Sequence, residues 1–222
     1  MNTPFLKAIF AIVRKDLLAE FRSREILSAM ILFALLSVLI FSFALELNRT
    51  AEKEVVSGVL WVTIIFASIL GLNRSLANER EEGNLDAMLL APIDRTTIYF
   101  GKLTGNFLFT LAVGLLLVFI MTLIFNIGIG KPLIILALIL GILGITSVGT
   151  LIATMTVQTR SRETLLPIAM MPVVLPVVLI VIRASNGVIE GSSDLDWAFT
   201  LSMIDVLYLS LGFILFEYVI ED

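Results

Sequence analysis

The sequence predicts an all-α integral membrane protein with six transmembrane helices and both termini in the cytoplasm. Three observations predict this class: 59% of the 222 residues are hydrophobic, only 15% are charged, and the hydrophobic residues gather into six long runs. Soluble domains average about 45–50% apolar and about 25% charged residues. Because helices satisfy their own backbone hydrogen bonds, as the membrane interior demands, each run is predicted to span as a helix.

The six predicted spans follow one another along almost the whole chain, which indicates a single transmembrane domain over residues 1–222. Each run approaches the roughly 20 residues needed to cross a hydrocarbon core of about 30 Å. The second run is the shortest, but Trp61 and its apolar neighbours keep it hydrophobic. The predicted spans are Ile26–Leu45, Val55–Leu72, Leu103–Phe125, Leu133–Val157, Leu165–Ile182 and Trp197–Phe216.

The positions of Lys and Arg predict the orientation, because these residues concentrate on the cytoplasmic side of membrane proteins. Eleven of the fifteen precede the first span or lie in the second and fourth loops, and four lie on the opposite side. The N-terminus, the C-terminus and the loop of residues 73–102 are therefore predicted to be cytoplasmic.

Residues 1–25 are predicted to form an amphipathic helix that lies in the membrane surface. Its basic residues Lys7, Arg14 and Arg22 would face anionic lipid headgroups. The alternative is that the segment is only the cytoplasmic start of the first span. The apolar residues that recur at spacings of three and four are Leu6, Phe10, Val13, Leu17 and Phe21.

The composition also excludes several classes of function. The chain has no cysteine and no histidine, so it has no disulfides, no zinc site built from Cys or His, no histidine acid–base catalyst and no His-ligated haem. Its basic residues form no stripe of the kind that binds nucleic acid, and no nucleic-acid partner is expected. A phosphate-cradling loop of the G-x-x-x-x-G-K-[S/T] type is also absent from the sequence.

The loop of residues 73–102 is the only long charge-dense segment, and it is predicted to contain a short helix. The second span continues as a helix through Arg74–Glu82, and Gly83 stops it because glycine adopts the left-handed conformation freely. Asn84 is predicted to cap a new helix, which Pro92 ends by forcing the preceding residue out of helical geometry. Asp94 would cap the next helix, which leads into the third span.

This short helix is predicted to be amphipathic, since Leu85, Met88 and Leu89 cluster on one face. A cytoplasmic partner with a complementary groove would cover that face. Alternatively, the face packs on the ends of the protein's own helices. The residues alone leave both arrangements open.

The segment Glu82-Gly-Asn-Leu-Asp-Ala-Met-Leu-Leu-Ala-Pro92 resembles the E/D-G-x-L-E/D-x-L-L-L-x-P stretch of the haem exporter protein B family, CcmB. The resemblance extends to the basic start around Arg14, to the apolar Gly58-Val-Leu-Trp61 of the second span and to the proline-rich fifth span. This family is the ABC-2 type permease subunit of the cytochrome c maturation system. The resemblance therefore implies an ABC-2 permease-like fold in a bacterial inner (cytoplasmic) membrane.

In such permeases the loop after the second span is similar to a coupling helix that docks on an ATPase subunit, here CcmA. The resemblance implies a non-catalytic membrane subunit, with ATP bound by CcmA and haem handled by partner subunits rather than by this chain. Its further partners would be the membrane subunits CcmC and CcmD and the haem chaperone CcmE, whose haem-loaded form is released with the use of ATP. Carried over by position, the coupling residues are Glu82, Gly83, Leu85, Asp86, Leu89, Leu90 and Pro92.

Two other functions compete with this one. An ABC-2 permease could export another substrate, such as a drug or a lipid. An ATP-independent transporter or membrane scaffold is the other alternative, although no inverted repeat is visible in the sequence.

The fourth loop and the fifth span hold two further candidate sites. Arg160, Arg162 and Glu163 would make a second, smaller contact with the ATPase subunit or with a headgroup, or Arg160 and Arg162 act only as positive-inside signals. Proline removes helix hydrogen bonds, so the prolines of the fifth span would form either a hinge or a fixed bend. These prolines are Pro167, Pro172 and Pro176.

The sixth span carries a carboxylate, and the third span begins with a small-residue motif. Asp205 is a functional candidate because a carboxylate costs about 2.5–3.5 kcal/mol at the membrane centre on insertion scales. It would line a substrate path, contact a membrane partner, hydrogen-bond inside the bundle, or lie at the interface if the span starts late. Gly101 and Gly105 allow close helix approach, usually within one chain, and a homodimer is an alternative that the sequence leaves open.

Overall fold

The computed structural model describes residues 5–46, 52–91, 93–125, 131–156, 159, 161–191 and 194–221. The described residues form eight helices, six of which are long and apolar enough to span a membrane, as the sequence predicts. The helices are α1 (Phe5–Ser23), α2 (Glu25–Glu46), α3 (Glu52–Glu81), α4 (Asn84–Leu90), α5 (Arg95–Phe125), α6 (Pro132–Thr156), α7 (Arg162–Glu190) and α8 (Asp196–Glu221).

The centre of the bundle is formed by α3 and α6, which are the most buried of the six long helices. α3 contacts α2, α5, α6 and α7, while α6 contacts α3, α5, α7 and α8. Trp61 of α3 is fully buried, and its indole N–H donates a 3.0 Å hydrogen bond to the Ser185 hydroxyl of α7. A Cβ atom at Gly141 of α6 would lie 2.5 Å from the Trp61 ring, so the absence of a side chain there makes room for the tryptophan.

The other long helices lie around this centre and present apolar side chains outward. α8 is an example, because it buries one narrow stripe that includes Leu201, Asp205 and Tyr208. Leucine, phenylalanine and methionine side chains cover the opposite side of α8. Such apolar outer surfaces are what a bundle surrounded by lipid requires.

α7 runs continuously from Arg162 to Glu190 with all three prolines inside it. The Tyr208 hydroxyl of α8 donates a hydrogen bond to the Val173 carbonyl, within one turn of Pro176. At the end of α7, Gly191 adopts a left-handed conformation with φ of 99°. The Val188 carbonyl near this helix end accepts a 3.2 Å hydrogen bond from the Gly191 N–H and a 2.6 Å hydrogen bond from the Lys131 ammonium.

Candidate functional site

The short helix α4 lies between the end of α3 and the start of α5, and the end of the bundle that carries it is called the α4 end below. Gly83 separates α3 from α4 in a left-handed conformation with φ of 69°, as the sequence predicts. After Leu90, Ala91 is extended with φ of −71° and ψ of 147°, which confirms that the helix ends where a residue precedes proline. α5 then begins at Arg95, directly after Asp94.

The prediction that Asn84 caps α4 is wrong. Gly83 occupies the N-cap position, makes no side-chain cap hydrogen bond, and accepts a 3.2 Å backbone hydrogen bond from Ala87. Asn84 is instead the first helical residue, and its amide donates a 2.6 Å hydrogen bond to the Glu82 carboxylate. The reason is that one left-handed glycine both ends α3 and opens α4, so no separate capping residue fits between the two helices.

The described side chains of α4 divide between two environments. Met88 is partly buried and packs against both apolar clusters of the bundle, so part of α4 does pack on the protein's own helices. Leu90 is 87% exposed, and Glu82 and Gly83 are exposed as well. The α4 end of the bundle therefore exposes a large apolar side chain at the end of α4 and a carboxylate just before its start.

Several predicted contact residues lie outside the described part of the chain. Pro92 and Arg160 are outside it altogether, and the side chains of Leu85, Asp86, Leu89 and Arg162 are outside it as well. Glu163 is exposed and lies in the first turn of α7. The coupling role of this set of residues remains a prediction.

A group of four charged residues, called the ion-pair network below, joins α1, α3 and α5 at the α4 end: Lys15, Asp16, Glu79 and Lys102. Lys102 of α5 is only 2% exposed, and its Nζ lies 2.9 Å from an Asp16 Oδ atom of α1 and 2.7 Å from a Glu79 Oε atom of α3. Lys15 of α1 also pairs with Glu79, at 2.6 Å. Two positive and two negative charges therefore balance one another in a buried place.

Lys15 lies at the rim of the ion-pair network, and its side chain is partly exposed. Burial alone would lower the pKa of Lys15. The hydrogen bond to Glu79 and the charges of Asp16 and Glu79 outweigh burial, and together they raise the pKa above its ordinary value of 10.5. Lys15 is therefore held in its charged form.

α1 fits onto α5 at Gly101 and Gly105, which are called the glycine notch below. A Cβ atom at Gly101 would lie 2.8 Å from the Ile12 side chain, and one at Gly105 would lie 3.4 Å from the Asp16 carboxylate. The small residues at the start of the third span thus allow close packing within one chain. The homodimer alternative has no support from this motif, because α1 occupies it.

Glu20 joins α1 to the start of α2. Its carboxylate accepts backbone hydrogen bonds from Ile26 at 3.2 Å and from Leu27 at 2.8 Å, which are among the free N–H groups at the start of α2. Between the two helices, Arg24 has a φ of 56°, a conformation that is uncommon for residues other than glycine. The chain therefore turns sharply at Arg24, and α1 leaves α2 to lie against α5.

The apolar face predicted for the N-terminal helix is divided in the structure. Leu6, Phe10 and Phe21 are exposed on α1, with Leu6 being 77% exposed. Val13, which the sequence places on the same face, is buried against the bundle. The exposed leucine and phenylalanines fit a helix that lies in a membrane surface.

A polar cavity of about 650 Å³ opens beside the ion-pair network, between α1 and α3. Acidic side chains dominate its lining, including Glu20, Glu25, Glu81 and Glu82. Two of its carboxylates, Asp16 and Glu79, already pair with lysines, and Glu20 already accepts the hydrogen bonds of α2. The cavity gives the α4 end a water-accessible, negatively charged recess.

Asp205 lies apart from this end, within the buried stripe of α8. It is 3% exposed, and neither carboxylate oxygen has a hydrogen-bond partner among the described residues. A Cβ atom at Gly144 of α6 would lie 2.7 Å from its Oδ1, so the carboxylate occupies the space left by that glycine. α8 begins nine residues earlier, at Asp196, so Asp205 lies well inside the sixth long helix, and its role stays a prediction.

The sequence did not reveal the ion-pair network. From the sequence, Lys102 is only one of the basic residues that predict the orientation, and Glu79 is only part of the helix that continues the second span. The sequence does contain one signal. Asp16 follows the apolar Val13 by three residues, so the carboxylate lies next to the predicted apolar face of the helix. Which charges meet depends on how α1 lies across α5, and a local pattern does not contain that information.

The described residues form helices only, and six long apolar helices are typical of a multi-pass membrane protein. The chain belongs to the CcmB family, because the model of that family, described as CcmB protein, matches residues 7–216. The family resemblance seen in the sequence is thereby confirmed.

Proteins named heme exporter protein B are similar to this chain over most of its length. The one from Pseudomonas aeruginosa is 24% identical over 191 residues, which cover 82% of this chain and 83% of that protein. The one from Bradyrhizobium diazoefficiens is 24% identical over 200 residues, which cover 88% and 89%. The one from Rhodobacter capsulatus is 26% identical over 174 residues, which cover 76% and 78%.

Proposed function

We propose that this protein is the transmembrane permease subunit of an ABC-type complex that acts in cytochrome c maturation at the bacterial inner membrane. The name heme exporter protein B of its relatives supports the proposal. The sequence has no phosphate-cradling loop, so ATP hydrolysis belongs to a separate ATPase subunit, CcmA. The membrane subunits CcmC and CcmD and the chaperone CcmE complete the proposed set of partners.

The observation that carries the proposal is the exposed part of α4. Leu90 is a large apolar side chain that the protein leaves in contact with solvent, at the end of the bundle that the Lys and Arg distribution assigns to the cytoplasm. An amphipathic helix with an exposed apolar side chain can dock in a hydrophobic groove of another protein. α4 is therefore the coupling helix, and the ATPase subunit supplies the groove that covers it.

Haem is the cargo of this proposed complex rather than a resident cofactor of this chain. The sequence contains neither His nor Cys, two side chains that commonly ligate haem iron. The function of this subunit is mechanical. It converts the motion of the ATPase subunit into haem delivery and into release of the haem-loaded chaperone CcmE on the other side of the membrane.

The experiment replaces Leu90 with Glu and measures co-purification of the ATPase subunit together with the yield of cytochrome c. Because Leu90 makes little contact with its own protein, Leu90→Glu should insert and fold normally but lose the ATPase subunit and lower the yield. Leu195→Glu is the matched control, since Leu195 is also exposed but lies at the far end of the bundle. If Leu90→Glu binds the subunit as well as Leu195→Glu does, α4 is not the coupling helix.

A second variant tests the remainder of the predicted contact. Leu85, Asp86 and Leu89 are replaced together, and the same two quantities are measured. Both should fall. Wild-type co-purification and wild-type cytochrome c yield in a protein that still inserts would contradict the coupling assignment.

A further inference from the structure

α1 is attached more firmly to α5 than to α2, the helix it precedes in sequence. It packs along α5 through the glycine notch and makes few contacts with α2 beyond the turn at Arg24. The charges of the ion-pair network then connect it to α3 as well. α1 is thus attached to both α3 and α5, the helices that precede and follow α4 in the chain.

We propose that the ion-pair network and the glycine notch make α1, α3 and α5 a single mechanical unit, so that a displacement of α4 is passed to α1 in the membrane surface. This inference rests on the proposed function, in which an ATPase subunit displaces α4. Lys15, Asp16, Glu79 and Lys102 are positioning residues in this scheme. They contact neither ATP nor haem.

The network lies at the place where such a displacement enters the bundle. Glu79 is two residues before the end of α3, and Lys102 lies in the second turn of α5, eight residues after Asp94. The two residues are joined directly, at 2.7 Å. A force applied to α4 therefore reaches both flanking helices at once instead of bending one of them away from the other.

Because they are largely buried, the ion pairs hold α1 tightly against α3 and α5. The Lys102, Asp16 and Glu79 side chains are only 2%, 7% and 9% exposed, so separating Lys102 from the two carboxylates would leave largely desolvated charges unpaired, and that loss is larger than the loss of an exposed ion pair. Small separations of α1 from α3 and α5 are therefore strongly opposed. Apolar contacts alone would allow α1 to slide, because they are not directional.

The outer face of α1 determines where the displacement arrives. Leu6, Phe10 and Phe21 are exposed on the side of α1 next to the face that contacts α5, and Lys7 and Arg14 are exposed beyond them. Such a face lies among lipid headgroups and the first part of the acyl chains. The unit thus extends from α4 in the cytoplasm to a helix anchored in the membrane surface.

The first test uses the chain alone and exploits its lack of cysteine. With Phe5→Cys and Phe100→Cys, whose native rings pack with centroids 6.0 Å apart, a short bifunctional thiol reagent that contains a reducible disulfide can cross-link α1 to α5 and leaves the glycine notch intact. The reagent should form this cross-link rapidly in lipid vesicles. Adding Asp16→Asn and Lys102→Met, which removes one charge of each sign, should slow its formation by about fivefold or more if the network holds α1 in place.

The second test uses the complex of the full chain with its ATPase subunit in vesicles and measures the change in ATP hydrolysis rate that assembly causes. Asp16→Asn/Lys102→Met should keep the subunit bound but reduce this change by about fivefold or more, the lower end of typical coupling between sites. The matched control is Glu25→Gln/Arg74→Gln, which removes an exposed ion pair of 3.7 Å at the same end. The control should behave as wild type.

Covalent rescue separates a mechanical function of the network from a general loss of structure. The cross-link between the cysteines at positions 5 and 100 should restore the lost ATPase response in Asp16→Asn/Lys102→Met, and reduction of the cross-link should abolish it again. In a chain with the intact network, the cross-linked and reduced forms should give the same ATPase response, because the helices that the cross-link joins already move together.

The outcomes distinguish the inference from the proposed function. A cross-link that inactivates the chain with the intact network would show that α1 moves relative to α5 and would overturn the inference. A wild-type response in Asp16→Asn/Lys102→Met would overturn it as well. If wild-type chain fails to bind the ATPase subunit or to change its activity, the proposed function fails, whereas a cross-link that forms equally fast with and without the network contradicts the inference by itself.

Discussion

Replacing Lys102 with Met should destabilise the bundle far more than replacing an exposed basic residue. The Lys102 ammonium pairs with both Asp16 and Glu79, and their side chains are only 7% and 9% exposed. Without Lys102, Lys15 alone faces the two carboxylates, so one negative charge remains uncompensated. Breaking a buried ion pair from one side costs about 3–5 kcal/mol. The free energy of unfolding should fall by that amount.

The assay is reversible unfolding in mixed micelles, titrated with sodium dodecyl sulfate and followed by helical circular dichroism. Lys102→Met is compared with Arg74→Gln, which removes a basic group of an exposed pair and should cost at most about 1 kcal/mol. Adding Asp16→Asn to Lys102→Met should recover part of the loss, because the charges then balance again. A cost below about 1 kcal/mol for Lys102→Met, or strict additivity with Asp16→Asn, would refute the description of a buried, coupled network.

Three further predictions concern packing, a buried carboxylate and pH. Gly141→Ala should lower the free energy of unfolding by about 1–3 kcal/mol, because the added methyl would lie 2.5 Å from the Trp61 ring. Gly58→Ala, with open space around it, should raise the free energy by up to about 1 kcal/mol. Asp205→Ala should also raise it, by about 1–3 kcal/mol in the same titration, since it removes two oxygens without a described partner. The raised pKa of Lys15 means that its ion pairs stabilise the fold below pH 10.5 and are lost as the pH rises further, so Lys15→Gln should weaken the alkaline loss of stability.

Much of the fold could be predicted from the sequence because the membrane imposes simple rules. Apolar runs of sufficient length predicted six helices that could span a membrane. Gly83 and the residue before Pro92 marked the limits of α4 because their backbone preferences are local. These features depend on neighbours in the chain, and a single sequence contains them.

The features that the sequence did not predict depend on contacts between distant residues. Asp16 and Lys102 are 86 positions apart, and their pairing follows from the way α1 fits into the glycine notch. The helical continuation of the second span is confirmed, since α3 runs to Glu81, but the burial of Leu76 and Glu79 within it was not predicted. That Met88 packs on the bundle while Leu90 is exposed likewise depends on how α4 lies on the other helices.

The most direct test of the central claim is chemical labelling of a single cysteine on α4. In a chain that has no cysteine of its own, Leu90→Cys is treated with a membrane-impermeant maleimide, with Leu195→Cys as the control for the far end. The coupling account predicts rapid labelling of Leu90→Cys from the cytoplasmic side only, and strong protection when the ATPase subunit is bound. Labelling from the outer side, or labelling that the ATPase subunit leaves unchanged, would contradict the account.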